Sequence, residues 1–185
     1  MLVVNLAGAP GAGKSTGAAY IFSKLKMKGI DAELVTEYAK DKVWEEDKAV
    51  FDNQVYIFGK QLFRLTRLEG KVDVVITDSP IILSLIYNND RERLGDEFDA
   101  LVKKVNNSFT QLNYFIKRVK PYNPKGRFQT EDESDKLSHK ILCCLNANSD
   151  WPVQTINGDI EGYDKVISDV EIKLHLKNLR DNWCQ

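Results

Sequence analysis

Eight consecutive residues carry the densest chemistry in this chain, Gly8-Ala-Pro-Gly-Ala-Gly13-Lys14-Ser15. The spacing G-x-x-x-x-G-K-[ST] aims backbone N–H groups at phosphate oxygens, and its glycines permit the tight turn that this needs. An apolar run, Leu2 to Ala7, precedes it and a helical period follows. The expected unit is therefore strand, phosphate loop and helix, the helix end adding roughly 0.5–2 kcal/mol of attraction for an anion. Gly8, Ala9, Gly11, Ala12, Gly13, Lys14, Ser15 and Thr16 are the candidate nucleotide-binding residues. Lys14 is directed at the β- and γ-phosphates, and the Ser15 hydroxyl is a ligand for Mg²⁺.

Such a site also needs a carboxylate for the metal, normally at the end of a buried strand. Asp78 follows the apolar run Val72 to Thr77 and supplies it; because Pro80 follows, Asp78 or Ser79 also suits a helix cap. At the end of a second short strand stands Thr36-Glu37-Tyr38. Strand ends of an open α/β sheet face the ligand crevice, so Glu37 is placed to take a proton from a substrate hydroxyl. Arg118, directly after a fourth strand, and Arg127, within a loop rich in Pro and Gly, are the candidate cations for the transferring phosphoryl group. On the helix after Glu37, Gln54, Ile57, Gln61 and Arg64 share a face beside an apolar seam. Glutamines there can pair with a base edge, with Tyr38 close by and Trp44, Tyr56 or Phe58 as stacking partners.

Three uses of a bound nucleotide compete. A switch GTPase needs an N-K-x-D guanine motif, absent here, and a motor needs an arginine finger from a neighbour and usually more chain. Small size and a basic insertion late in the chain favour a kinase.

The elements that must position these groups alternate in kind. Short β-branched runs at residues 2–7, 33–36, 72–77, 112–116 and 153–156 are separated by helical periods, the pattern of an α/β protein with a mostly parallel five-stranded sheet between two helix layers. One helix is expected over about residues 14–28, with Gly29 as its stop. Another spans about 49–69, its seam Phe51, Val55, Phe58, Leu62 and Leu65. Pro80 suits the first turn of a helix, and Phe98, Leu101, Val102, Val105 and Phe109 mark a further one. Residues 117–135 break the periodicity and change from basic to acidic, which reads as a lid. Leu137 to Leu145 and Val166 to Leu174 mark the last two helices.

The chain has 185 residues, 43% apolar and 29% charged, with 26 basic against 27 acidic side chains. A chain of this length buries roughly 70% of its unfolded surface, enough for one core, so residues 1–185 read as one domain. Neither low hydrophobicity nor high net charge is present, which excludes a disordered chain. No run approaches the ~20 apolar residues needed to span a bilayer, and the first residues read as a strand rather than a leader. Three cysteines, Cys143, Cys144 and Cys184, form no disulfide framework, which fits a reducing cytoplasm. His139 and His175 lack partners at zinc-site spacing and read as structural or surface residues. Near-neutral charge disfavours indiscriminate DNA binding, while the local basic stretch keeps a DNA acceptor docked at the lid open.

Taken together, Gly8 to Thr16, Thr36 to Asp41, Gln54 to Gln61, Ile76 to Pro80, Arg118 to Tyr122 and Gly126 to Glu131 resemble the small P-loop proteins of tailed bacteriophages, called AAA-type ATP-binding proteins or nucleotide kinases. These are related to the ribosylnicotinamide kinase domain and more distantly to deoxynucleoside kinases. The resemblance implies a nucleoside-monophosphate-kinase-like fold, ATP with Mg²⁺, a closing lid, Glu37 as base and a nucleoside or nucleotide acceptor. It implies the host cytoplasm if the chain is phage-encoded. Deoxynucleoside kinases carry Asp-Arg-Ser where this chain has Asp78-Ser79-Pro80, so an arginine is missing. For some phage relatives the implied acceptor is a hydroxymethyl-pyrimidine within DNA, which must be flipped out to react. The reading from another class is an ATP-binding regulatory module with a protein partner. Gly158-Asp159 resembles the loop that packs on adenine in related kinases. Monomer and homodimer both stay open.

Overall fold

The computed structural model describes residues 1–45, 48–123 and 130–183. Arg127, Cys184 and the side chain of Trp44 lie outside the described residues. Five strands form one parallel sheet in the order β2-β3-β1-β4-β5: β1 (Leu2–Ala7), β2 (Ala32–Val35), β3 (Val74–Thr77), β4 (Thr110–Lys117) and β5 (Val153–Asn157). In β1 every residue is buried, as expected for a strand covered on both faces. Its side chains divide by parity. Leu2, Val4 and Leu6 pack with α1 (Lys14–Met27) and α8 (Ile160–Trp183), through Ile21, Leu25, Val166 and Val170. Val3 and Ala7 face the opposite layer, built on α4 (Gln54–Thr66), α6 (Arg91–Asn107) and α7 (Glu131–Asn148), through Phe58, Val102 and Ile141. Asn5 is buried, and its amide donates to Gln111 at 2.9 Å and Asn113 at 2.8 Å.

Shorter helices complete the crevice side: α2 (Tyr38–Trp44), α3 (Lys48–Phe51) and α5 (Ser84–Tyr87). Several elements differ from the sequence reading. The helix expected over about 49–69 is two, because the Asn53 side chain accepts from the Tyr56 N–H at 3.0 Å and caps a new start. That rotates the stripe: Gln54, Phe58, Gln61 and Leu65 are buried, whereas Val55, assigned to the seam, is exposed. Pro80 caps a single 3-10 turn, Ile81–Leu83, rather than opening an α-helix. Leu101 is exposed, and Phe109 lies beyond the end of α6. The acidic residues of the expected lid, Glu131 to Asp135, form the start of α7. Thr130 and Glu133 make a capping box there, and the carboxylates sit at the favourable end of the helix dipole.

Candidate active site

The phosphate loop joins β1 to α1, and its shape depends on contacts with three distant segments. Gly13 has φ 102°, and a Cβ there would meet the Tyr163 hydroxyl at 2.5 Å. That hydroxyl donates to the Gly13 carbonyl at 3.0 Å. Below the loop, a Cβ on Gly158 would come within 2.3 Å of the Ala12 carbonyl oxygen. From α7, the buried Ser134 hydroxyl donates to the Pro10 carbonyl at 2.9 Å. These straps hold the loop amides in place before any anion arrives, which removes ordering cost from binding.

One carboxylate ties the site together. Asp78, 3% exposed at the end of β3, accepts the Ser15 hydroxyl on Oδ2 at 2.6 Å and the Glu37 N–H on Oδ1 at 2.9 Å. Lys14 donates to the Gly8 carbonyl at 2.8 Å and the Ala9 carbonyl at 3.2 Å, so its ammonium curls over the loop. Lys40 points its Nζ at the Ser15 hydroxyl, 3.5 Å away. Glu37 is partly buried, and desolvation pushes its carboxyl above the ordinary range against the opposing pull of Lys14.

These groups open onto a cavity of about 630 Å³. Among the described residues, its charged lining side chains are Lys14, Glu37, Lys40 and Asp78, all at the loop end. The remainder is apolar or neutral: Val43, Phe51, Ile57, Ile81 and Leu83, with Gln54, Ser84, Tyr87 and Asn89 as polar points. Burial, and then the negative Glu37, push the Tyr87 phenol up to about 12.

Ser15 and Asp78 offer hard oxygen donors in contact, the donor set that suits Mg²⁺ shared with phosphate. The loop amides, Lys14 and the start of α1 suit a nucleotide triphosphate. The residues present therefore fit both groups.

A family model described as an AAA domain matches residues 3–161. The chain belongs to this AAA-domain family. No match is found among the curated proteins. Two solved structures of a deoxyadenosine kinase from M. mycoides resemble this AAA domain at 19% identity and a TM-score of 0.55. One, with the products dCMP and a flexible dCDP bound, covers 94% of this chain and 98% of its own; the other, with dATP bound, covers 90% and 97%. At that identity the likeness is one of fold.

Within this AAA domain the residues named from sequence take different places. Gly8, Gly11, Gly13, Lys14, Ser15, Thr16, Glu37, Gln54, Gln61 and Asp78 line the cavity. Ala9 and Ala12 are buried beneath the loop. Tyr38 and Arg64 stand outside the lining. The Tyr38 hydroxyl donates to Tyr56 at 3.1 Å, and Arg64 donates to the Thr36 carbonyl at 3.0 Å and to Asp41 at 2.6 Å. Gln61, although lining, spends its amide on neighbours: it accepts the Tyr38 N–H at 2.9 Å and donates to Thr36 and Thr77. Gln54 donates to the Ser84 hydroxyl at 3.1 Å. Tyr56 is exposed and Phe58 lies in the core. Arg118 is paired with Glu131 at 3.0 Å and Asp135 at 2.7 Å, and its guanidinium lies over the Tyr122 ring.

Sequence reasoning missed Lys40, Ser84, Tyr87 and Asn89 as site residues. The signal for Lys40 was its position three residues after Glu37; Ser84, Tyr87 and Asn89 had none before the turn after Pro80 was known. His139 contacts Cys143, with Nδ1 and Sγ 3.3 Å apart on α7. No helix among the described residues is long and apolar enough to cross a membrane.

Proposed function

We propose that this AAA domain is an ATP-dependent phosphotransferase that moves the γ-phosphoryl group of ATP to a hydroxyl of a nucleoside-type acceptor. The observation that carries the reading is the doubly engaged Asp78, which holds the metal-binding hydroxyl of Ser15 and the backbone of Glu37 within one carboxylate. The phosphate-loop residues and a partly desolvated carboxyl thus share one cavity. In this reading the loop amides and Lys14 bind the triphosphate, and Glu37 takes the proton from the acceptor hydroxyl. Ser15 and Asp78 would hold Mg²⁺, which when bound would add positive charge beside the phosphate oxygens. The far end of the cavity has no charged lining side chain among the described residues, which favours an acceptor without a phosphate of its own. Arg118, engaged by two carboxylates, needs release from α7 before it can serve the phosphoryl group, and Arg127 is retained as a lid cation by sequence alone.

The test is transfer from γ-labelled ATP to a panel of nucleosides, nucleotides, ribosylnicotinamide, and plain or hydroxymethylated DNA. Labelled nucleoside monophosphate is expected. Label only on nucleotides would replace the hydroxyl reading by a phosphate acceptor, and label only on hydroxymethylated DNA would make the acceptor a base within DNA. ATP hydrolysis that no acceptor stimulates would point instead to a regulatory module with a protein partner.

A further inference from the structure

In the proposed reaction the charge of the transferred group is spread over its three non-bridging oxygens while new charge develops on the leaving bridging oxygen, and a cation whose contact strengthens during transfer is worth most. Arg118 is neutralised by Glu131 and Asp135. Lys14 donates to the Gly8 and Ala9 carbonyls and in the proposed reading serves the ground-state triphosphate. Lys40 is different: it lines the cavity, its Nζ lies 3.5 Å from the Ser15 hydroxyl, and among the described residues no carboxylate is in ion-pair contact with it, Glu37 meeting it only electrostatically. It is placed by α2, whose start is fixed at Glu37 by Asp78 and at Tyr38 by Gln61. A lysine in a first helical turn faces the positive end of the peptide dipoles, a local disadvantage. Local rules broken in this way concentrate at functional positions.

We propose that Lys40 is a catalytic cation of this site, delivered by the same short helix as the base and donating to a non-bridging oxygen of the phosphoryl group during transfer. The inference rests on the phosphotransferase reading. In the step, the acceptor oxygen gives its proton to the Glu37 carboxylate and forms the new bond to the γ-phosphorus. The bond from that phosphorus to the β–γ bridging oxygen breaks, and ADP leaves with its electron pair. Lys40 keeps its proton and supplies charge and a hydrogen bond. Glu37 is the N-cap of α2 and Lys40 lies in its first turn, so one helix start carries both groups.

The experiment compares wild type, Lys40→Met and Lys40→Arg in single-turnover transfer from γ-labelled ATP to the nucleoside panel, with ATP affinity and thermal melting measured on the same samples. Lys40→Met is expected to lose ~10²–10³-fold in the transfer rate, with ATP affinity changed less than about threefold and melting unchanged. Lys40→Arg is expected to recover to within about tenfold of wild type, because charge rather than shape is required. A transfer rate for Lys40→Met equal to wild type overturns the proposal, as does a loss confined to ATP affinity. No label on any acceptor from the wild-type enzyme sinks the phosphotransferase reading itself, which is a distinct result.

Discussion

Glu37 is held by its backbone N–H, and among the described residues its carboxyl makes no hydrogen bond. Its N–H is committed to Asp78, while the side chain meets Lys14, Lys40, Asp78 and Asp41 electrostatically, with Tyr87 close by. Desolvation is the largest of these influences and raises its pKa above the ordinary 4.5. Two consequences follow with definite sign. In its proposed role as base Glu37 must be ionised, so kcat/KM is expected to fall on the acid side through a pKa above 4.5; a limb at or below that value would contradict the burial argument. For stability, a carboxyl raised by burial costs the fold when it is charged. The relative stability is present below the unfolded pKa and lost as pH rises through the folded one. Glu37→Gln should therefore melt higher than wild type at pH 8 and no higher at pH 4, while losing about 10²-fold in turnover. Equal melting at both pH values would remove desolvation as the cause. Asp78→Asn keeps the shape and one hydrogen-bond acceptor but removes the charge; Mg²⁺-dependent ATP binding should weaken at least tenfold, measured by calorimetry with and without the metal.

Helix α2 has only seven residues, too few to be stable by itself, and is held from α4. Arg64 bridges the Thr36 carbonyl and Asp41 and lies over the Tyr38 ring, and Gln61 closes the Tyr38 N–H. These contacts suit a positioning role for Arg64. Arg64→Ala should lower kcat about tenfold through loosened geometry of Glu37, with ATP affinity unchanged; an effect on ATP affinity alone would refute this. The same elements explain what the sequence concealed. A seam of Phe51, Val55 and Phe58 assumes one continuous helix, yet Asp52-Asn53 interrupts it and turns Gln54 and Gln61 inward. Buried glutamines look like errors in an amphipathic pattern until the neighbouring surface is known to be a cavity. The acidic run of the expected lid is similar: helix capping uses the same residues that make a polar loop.

Across the whole molecule, two apolar clusters lie on opposite faces of one sheet, and β1 contributes to both. A single cooperative melting transition is expected, and two resolved transitions would argue for separate units. The phosphate loop sits where α7, the β5–α8 connection and α8 all press on it. Gly158→Ala should therefore lower both stability and ATP affinity, because the added carbon meets the Ala12 carbonyl at 2.3 Å and backbone must move. The nucleotide-induced rise in melting temperature should shrink with it; an unchanged rise would show the strap to be dispensable.

The phosphate loop, the alternation of strands and helices, and the carboxylate at the end of β3 were all legible in the sequence. They depend on contiguous residues or on one local period, and local patterns determine local geometry. The partnerships were not. Arg118 meets α7, Lys40 meets Ser15, and Gln61 serves α2 across separations that no periodicity encodes. Which side chain faces the cavity was decided only when the sheet order brought the ends of β1, β2 and β3 side by side. Burial and charge pairing are properties of that assembled surface.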